Sequence, residues 1–144
     1  MKDIKMADKY IKVIIDTNIW ISFLIGKHLK GLQNYLNNES IRIITCHEQL
    51  IELTEVLNKP KIKKYIKPYQ IEEFLDLIYE VSEVVKISLL IDICRDKKDN
   101  YLLSLAKCSD SDYLITGDDD LLVLDGLIST KILKYSEFEM ILHS

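Results

Sequence analysis

Asp16 directly follows the run Lys-Val-Ile-Ile, and Asp118 follows Tyr-Leu-Ile-Thr-Gly, so both stand just beyond stretches that read as buried strands. In an open α/β sheet the functional crevice lies past the carboxyl ends of the strands, where two such acids would meet. Each has an ordinary alternative as the N-cap of the helix that follows. Asp99 is less easily explained. Leu102, Leu103 and Ala106 lie three, four and seven residues after it, which puts Asp99 in the apolar stripe of its own helix. A carboxylate there must be desolvated and needs a partner. A cap at Asp96, with Asp99 complementing the helix dipole, accounts for its place in the first turn but not for its apolar side. Glu48, Glu52 and Glu55 all lie away from the stripe of Leu50, Leu53 and Leu57, and spacing alone reads them as a solvated face.

The elements that must carry these residues follow from periodicity and breakers. Residues 12–15, Ile41–Thr45, 81–87, 113–116 and 131–134 read as strands. Helices are expected over 18–25, 29–36, His47–Leu57, 68–79, 99–108, 121–124 and 136–142, with Pro60 stopping one and Pro68 opening another. Strands that alternate with helices and are apolar on both sides imply an α/β fold with a mostly parallel central sheet covered on both faces. The strand order stays open. No repeat, linker or low-complexity tract divides the 144 residues, so a single domain spanning 1–144 is expected, with 1–10 as a flexible N-terminal extension.

The net charge of −4 gives no bulk attraction for nucleic acid, although an acid-lined metal site would itself pull the total negative. Lys59, Lys61, Lys63, Lys64 and Lys67, interleaved with Tyr65 and Tyr69, form a basic cluster. It fits either backbone phosphates and a stacked base or a plain solvated loop. Cys46, Cys94 and Cys108 form no CxxC pair, which together with the absence of a secretory signal or a membrane-length apolar run points to a reducing cytoplasm. His28, His47 and His143 share no metal-ligand spacing, and Trp20 beside Ile21 and Leu24 reads as core.

Four segments in order, Ile-Ile-Asp-Thr-Asn (14–18), Glu-Leu-Thr-Glu-Val-Leu-Asn-Lys-Pro-Lys (52–61), Cys-Arg-Asp-Lys-Lys-Asp-Asn (94–100) and Asp-Tyr-Leu-Ile-Thr-Gly-Asp-Asp-Asp-Leu-Leu (112–122), resemble the PIN-domain family. The likeness is to its bacterial toxin–antitoxin branch of VapC-like ribonucleases and runs from about Lys12 to Leu142. It implies a three-layer α/β/α sandwich and a metal-dependent endoribonuclease with catalytic acids Asp16, Glu52, Asp99 and Asp118. Glu55 is the fallback for Glu52, and Asp96 neighbours Asp99. Asp120 would support the metal, and Thr17 and Asn18 would orient Asp16. An RNA substrate, a protein antitoxin and a homodimer belong to the same implication.

Four carboxylates in one crevice repel by roughly 4 kcal/mol per pair at 4 Å and an effective dielectric of 20. A divalent cation removes that conflict, and oxygen-only ligands suit Mg²⁺ or Mn²⁺ rather than zinc. Asp16, Asp99 and Asp118 would hold the ion, with Glu52 positioning or deprotonating the attacking water. A haloacid-dehalogenase-type phosphatase with Asp16 as nucleophile would want a second acid where Asn18 stands. No glycine-rich phosphate loop exists to support nucleotide hydrolysis. The remaining alternative is a PIN-like fold kept as a non-catalytic RNA- or protein-binding module.

Overall fold

The computed structural model describes residues 10–26 and 38–143. His28, residues 1–9 of the expected extension and the helix expected over 29–36 lie outside the described residues. Five strands form one sheet: β1 (Ile11–Ile15), β2 (Ile41–Thr45), β3 (Ser82–Val84), β4 (Tyr113–Ile115) and β5 (Lys131–Leu133). Their order is β3-β2-β1-β4-β5, and every neighbouring pair is parallel, in keeping with the apolar, doubly covered strands of the sequence.

Alternate residues of β1, β2, β4 and β5 feed two separate cores. Val13, Ile15, Ile43, Ile115 and Leu133 pack on one face. There they meet α1 (Thr17–Ile25), α2 (His47–Leu57), α3 (Pro60–Lys63), α4 (Pro68–Val81) and α7 (Tyr135–Leu142). Ile14, Ile44, Leu114 and Ile132 pack on the other, against α5 (Asn100–Ser109) and α6 (Asp119–Leu122). This is the three-layer α/β/α arrangement, with period-2 side chains dividing between its two cores. Among the described residues no helix is long and apolar enough to cross a membrane.

The stretch expected as a strand over 81–87 forms a shorter one. Ile71, Phe74 and Ile78 extend the helical period of α4 so that Val81 closes the helix. The edge strand β3 then pairs for three residues only. Pro60 ends α2 as expected, yet it also opens α3, because proline's fixed φ suits a first helical turn.

After β3 the chain crosses to the second face without regular structure, and α5 holds it there. Asn100 Oδ1 accepts the backbone N–H groups of Ile93 (3.2 Å) and Cys94 (2.9 Å), while its Nδ2 donates to Asp92 (2.9 Å). Ser104 Oγ accepts from Ile91 N at 2.8 Å. Asn100→Ala removes three bonds from this connection and is expected to lower stability by about 1–2 kcal/mol, read as a lower urea midpoint at unchanged slope.

Candidate active site

The crossovers from β1 lead towards β2 and β3, whereas β4 and β5 lie on its other side. The boundary between β1 and β4 is therefore the topological switch point of the sheet. Asp16 leaves β1 there, its N–H bonded to the Ile115 carbonyl at 2.9 Å. Thr116 completes the junction. Its Oγ1 donates to Asp16 Oδ2 at 2.6 Å and accepts the N–H of Asp118 at 3.0 Å, so one hydroxyl ties both acids together. Asp118 also caps α6 by accepting the Asp120 N–H at 2.9 Å, so capping and a place in the crevice coexist. The Asp16 side chain makes no such cap bond to α1.

Asp16 is 5% exposed. Burial pushes its carboxyl above the ordinary carboxylate value, the charges of Glu52 and Asp118 add to the push, and the Thr116 hydroxyl and the nearby Asn18 N–H oppose it. Asp99 closes the single 3₁₀ turn Lys97–Asp99 at the head of α5, a turn whose cap is Asp96 accepting from Lys98 N at 3.1 Å. Its carboxyl is pushed up to about 8, by desolvation first and then by Asp118, Asp16 and Asp96. Oδ2 of Asp99 is buried with no donor in reach. Two facing acceptors, Asp99 and Asp118, can bond each other only by sharing a proton. The acid that the helical stripe marked out thus meets other acids at the switch point.

Glu52 reaches the same crevice from α2. Gln49, fully buried one turn earlier, donates to the Ile15 carbonyl at 2.6 Å and accepts from Thr45 Oγ1 at 2.6 Å, which locks the start of α2 onto the ends of β1 and β2. Glu52 Oε1 accepts hydroxyls from Thr17 and Tyr101, each at 2.5 Å. Glu55 is exposed and makes none of these contacts. The structure therefore separates two acids that helical spacing left equivalent.

One expectation is corrected here. Thr17 does not orient Asp16; its hydroxyl goes to Glu52, and Thr116 serves Asp16 instead. Asp120 is engaged at the rim with Arg95, whose Nε and Nη2 donate to its two oxygens at 2.9 and 3.0 Å. That pair holds the Asp120 carboxyl below its ordinary value. Among the described residues no group of three or more acid, histidine or cysteine side chains is arranged to hold a metal ion. The reason is visible in the bonds: Asp16 is drawn to Thr116, Asp118 to the α6 N-terminus and Asp120 to Arg95. Gln49, Tyr101, Thr116 and Arg95 escaped the sequence analysis because each acts through a contact distant in the chain. Only Tyr101 carried a hint, a polar tip two residues from Asp99.

Of the lysine cluster, Lys59 lines a cavity of about 400 Å³ with Lys98, Ile51, Val56, Tyr101 and Glu52. Glu48 and Glu55 line it too. Neither lysine forms an ion pair with a described residue.

A family model described as PIN domain matches residues 12–120. An uncharacterized protein of Methanocaldococcus jannaschii is 33% identical over 123 residues, covering 83% of this chain and 79% of that protein. Among solved structures, PAE2754 from Pyrobaculum aerophilum matches with a TM-score of 0.62 at 14% identity, over 95% of this chain and 94% of that one. VapBC2 from Rickettsia felis, bound to a DNA fragment from their promoter, matches with a TM-score of 0.55 at 17% identity, over 85% of this chain and 97% of that one. At such identities the two structures share the fold.

Proposed function

Because the chain belongs to the PIN-domain family, we propose that it is a Mg²⁺- or Mn²⁺-dependent endoribonuclease that hydrolyses RNA phosphodiester bonds. The observation that supports this most is Asp99 Oδ2, a buried carboxylate oxygen without a donor, facing Asp118 in the crevice that Asp16 also enters. Such a group is costly unless a cation or a proton joins it. The oxygen-only donor chemistry of Asp16, Asp99 and Asp118 suits a hard divalent ion. A bound ion there would lower the pKa of an attacking water and balance charge on the phosphodiester. Asp16 and Asp118 are set relative to each other by Thr116, Glu52 holds the water and accepts its proton, and Asp120 keeps Arg95 at the rim.

The test is incubation of the purified protein with single-stranded RNA in Mg²⁺ or Mn²⁺ and then in EDTA. Metal-dependent cleavage is the expected result. RNA binding without cleavage under any divalent metal would favour the non-catalytic module.

Lys59 and Lys98, uncommitted beside Glu52, are the cations placed to meet backbone phosphates. Substituting both by Gln is expected to reduce the slope of log Kd against log salt by about 1.4, at about 0.7 per phosphate contact on a single strand. Filter binding in EDTA reads this without turnover. The likeness to VapBC2 supports a place as the toxin of a toxin–antitoxin pair with a protein antitoxin, and the same reading takes the chain as a cytoplasmic homodimer. Growth arrest on expression, relieved by the product of a neighbouring gene, is the corresponding result in cells.

A further inference from the structure

Glu52 is clamped on one side only. Its Oε1 accepts both Tyr101 OH and Thr17 Oγ1 at 2.5 Å, and the two hydroxyls lie 3.2 Å apart. Among the described residues no hydrogen bond reaches Oε2, and it is not among the buried partnerless atoms, so it is open to solvent. The donors come from two other elements, each next to an aspartate of the site. Thr17 follows Asp16 at the head of α1, and Tyr101 sits two residues after Asp99 in α5. A glutamate on a helix surface samples several rotamers, and holding it in one costs roughly 1–2 kcal/mol of side-chain entropy. Two short bonds supply that restraint. They do so with neutral donors, where a lysine or arginine would cancel the carboxylate's charge.

We propose that Tyr101 is a positioning residue: with Thr17 it fixes Glu52 Oε1 and so aims Oε2 at the attacking water. The assignment rests on the nuclease reading above. A phenol is protonated at neutral pH, so Tyr101 OH serves Glu52 as a donor. The ring packs beside Leu102, Leu103 and the second core, which Phe would preserve.

The experiment is single-turnover cleavage of RNA by Tyr101→Phe, alone and in a Glu52→Ala background, beside thermal unfolding of each protein. Tyr101→Phe is expected to lower kcat about 10–100-fold, with KM within about twofold and a thermal midpoint within a few degrees of wild type. In Glu52→Ala the same substitution should change kcat by less than about twofold, because the group it positions is gone. Wild-type kcat in Tyr101→Phe overturns the proposal and leaves the nuclease reading standing. An equal loss in both backgrounds also overturns it, since Tyr101 would then act independently of Glu52. No metal-dependent cleavage by the wild type removes the nuclease reading, and the positioning role with it.

Discussion

Asp16→Asn is expected to reduce RNA cleavage at least about 10³-fold, equivalent to roughly 4 kcal/mol of transition-state stabilisation. The size follows from the Thr116 bond. Thr116 Oγ1 accepts from Asp118 N and donates its one proton to an oxygen of Asp16, and because the hydroxyl is buried that proton keeps a partner only if the oxygen remains an acceptor. Asparagine can meet this demand only with its carbonyl oxygen. Its amide NH₂ then points where the second carboxylate oxygen stood, and a donor cannot ligate a cation. The substitution keeps shape and packing while reversing the polarity of the one atom the chemistry needs. Single-turnover cleavage with excess Mn²⁺ measures the loss, and circular dichroism checks the fold. Equal rates in wild type and variant would mean that the cleavage comes from a contaminant.

Divalent metal is expected to stabilise the protein strongly. At about 100 times Kd, binding to the native state alone adds roughly 2.7 kcal/mol. For a domain of this length that is roughly a 10 °C rise in Tm. In the metal-free protein above about pH 8, where Asp99 is ionised, Asp99→Asn should act in the same direction by removing a like charge, raising Tm by several degrees, with the Coulomb gain discounted for the partial exposure of the site. The pH dependence follows from the raised value of Asp99, from an ordinary 3.8 to about 8 in the folded chain. The folded state binds this proton more tightly than the unfolded chain. Its stabilising contribution is complete below about pH 4 and is lost as pH rises through about 8. Metal-free Tm should therefore fall across that window, and less so in Asp99→Asn. Differential scanning fluorimetry with and without Mn²⁺ tests all three statements. A Tm indifferent to metal, in a variant series indifferent to pH, would show that the crevice takes no ion.

Much of this was legible in the sequence because it depends on local periodicity. The apolar runs ending at Ile15 and Ile115 announce strands with acids beyond them, and the stripe through Leu102 and Ala106 exposes Asp99 as misplaced for a surface residue. Strand order was not legible, since strands buried on both faces carry the same pattern and say nothing about neighbours. Nor was the preference for Glu52 over Glu55. It depends on Gln49 docking α2 onto β1 and on a tyrosine about fifty residues downstream, as the Tyr101–Glu52 bond shows. Thr17 and Thr116 offer the same chemistry. Only the sheet's pairing of β1 with β4 decides which hydroxyl meets which acid.

That pairing also bears on how the protein is made. The Thr116–Asp16 bond joins positions 100 residues apart, and Asp99 and Asp118 come from the last third of the chain. A ribosome synthesises β1 first and β4 late, and domains close only when their distant partners have emerged. Until then a growing chain has Asp16 without its companions. On the nuclease reading, a chain that has been synthesised only as far as β1 holds Asp16 without a cutting site, and none can form until β4 and the residues after it have followed.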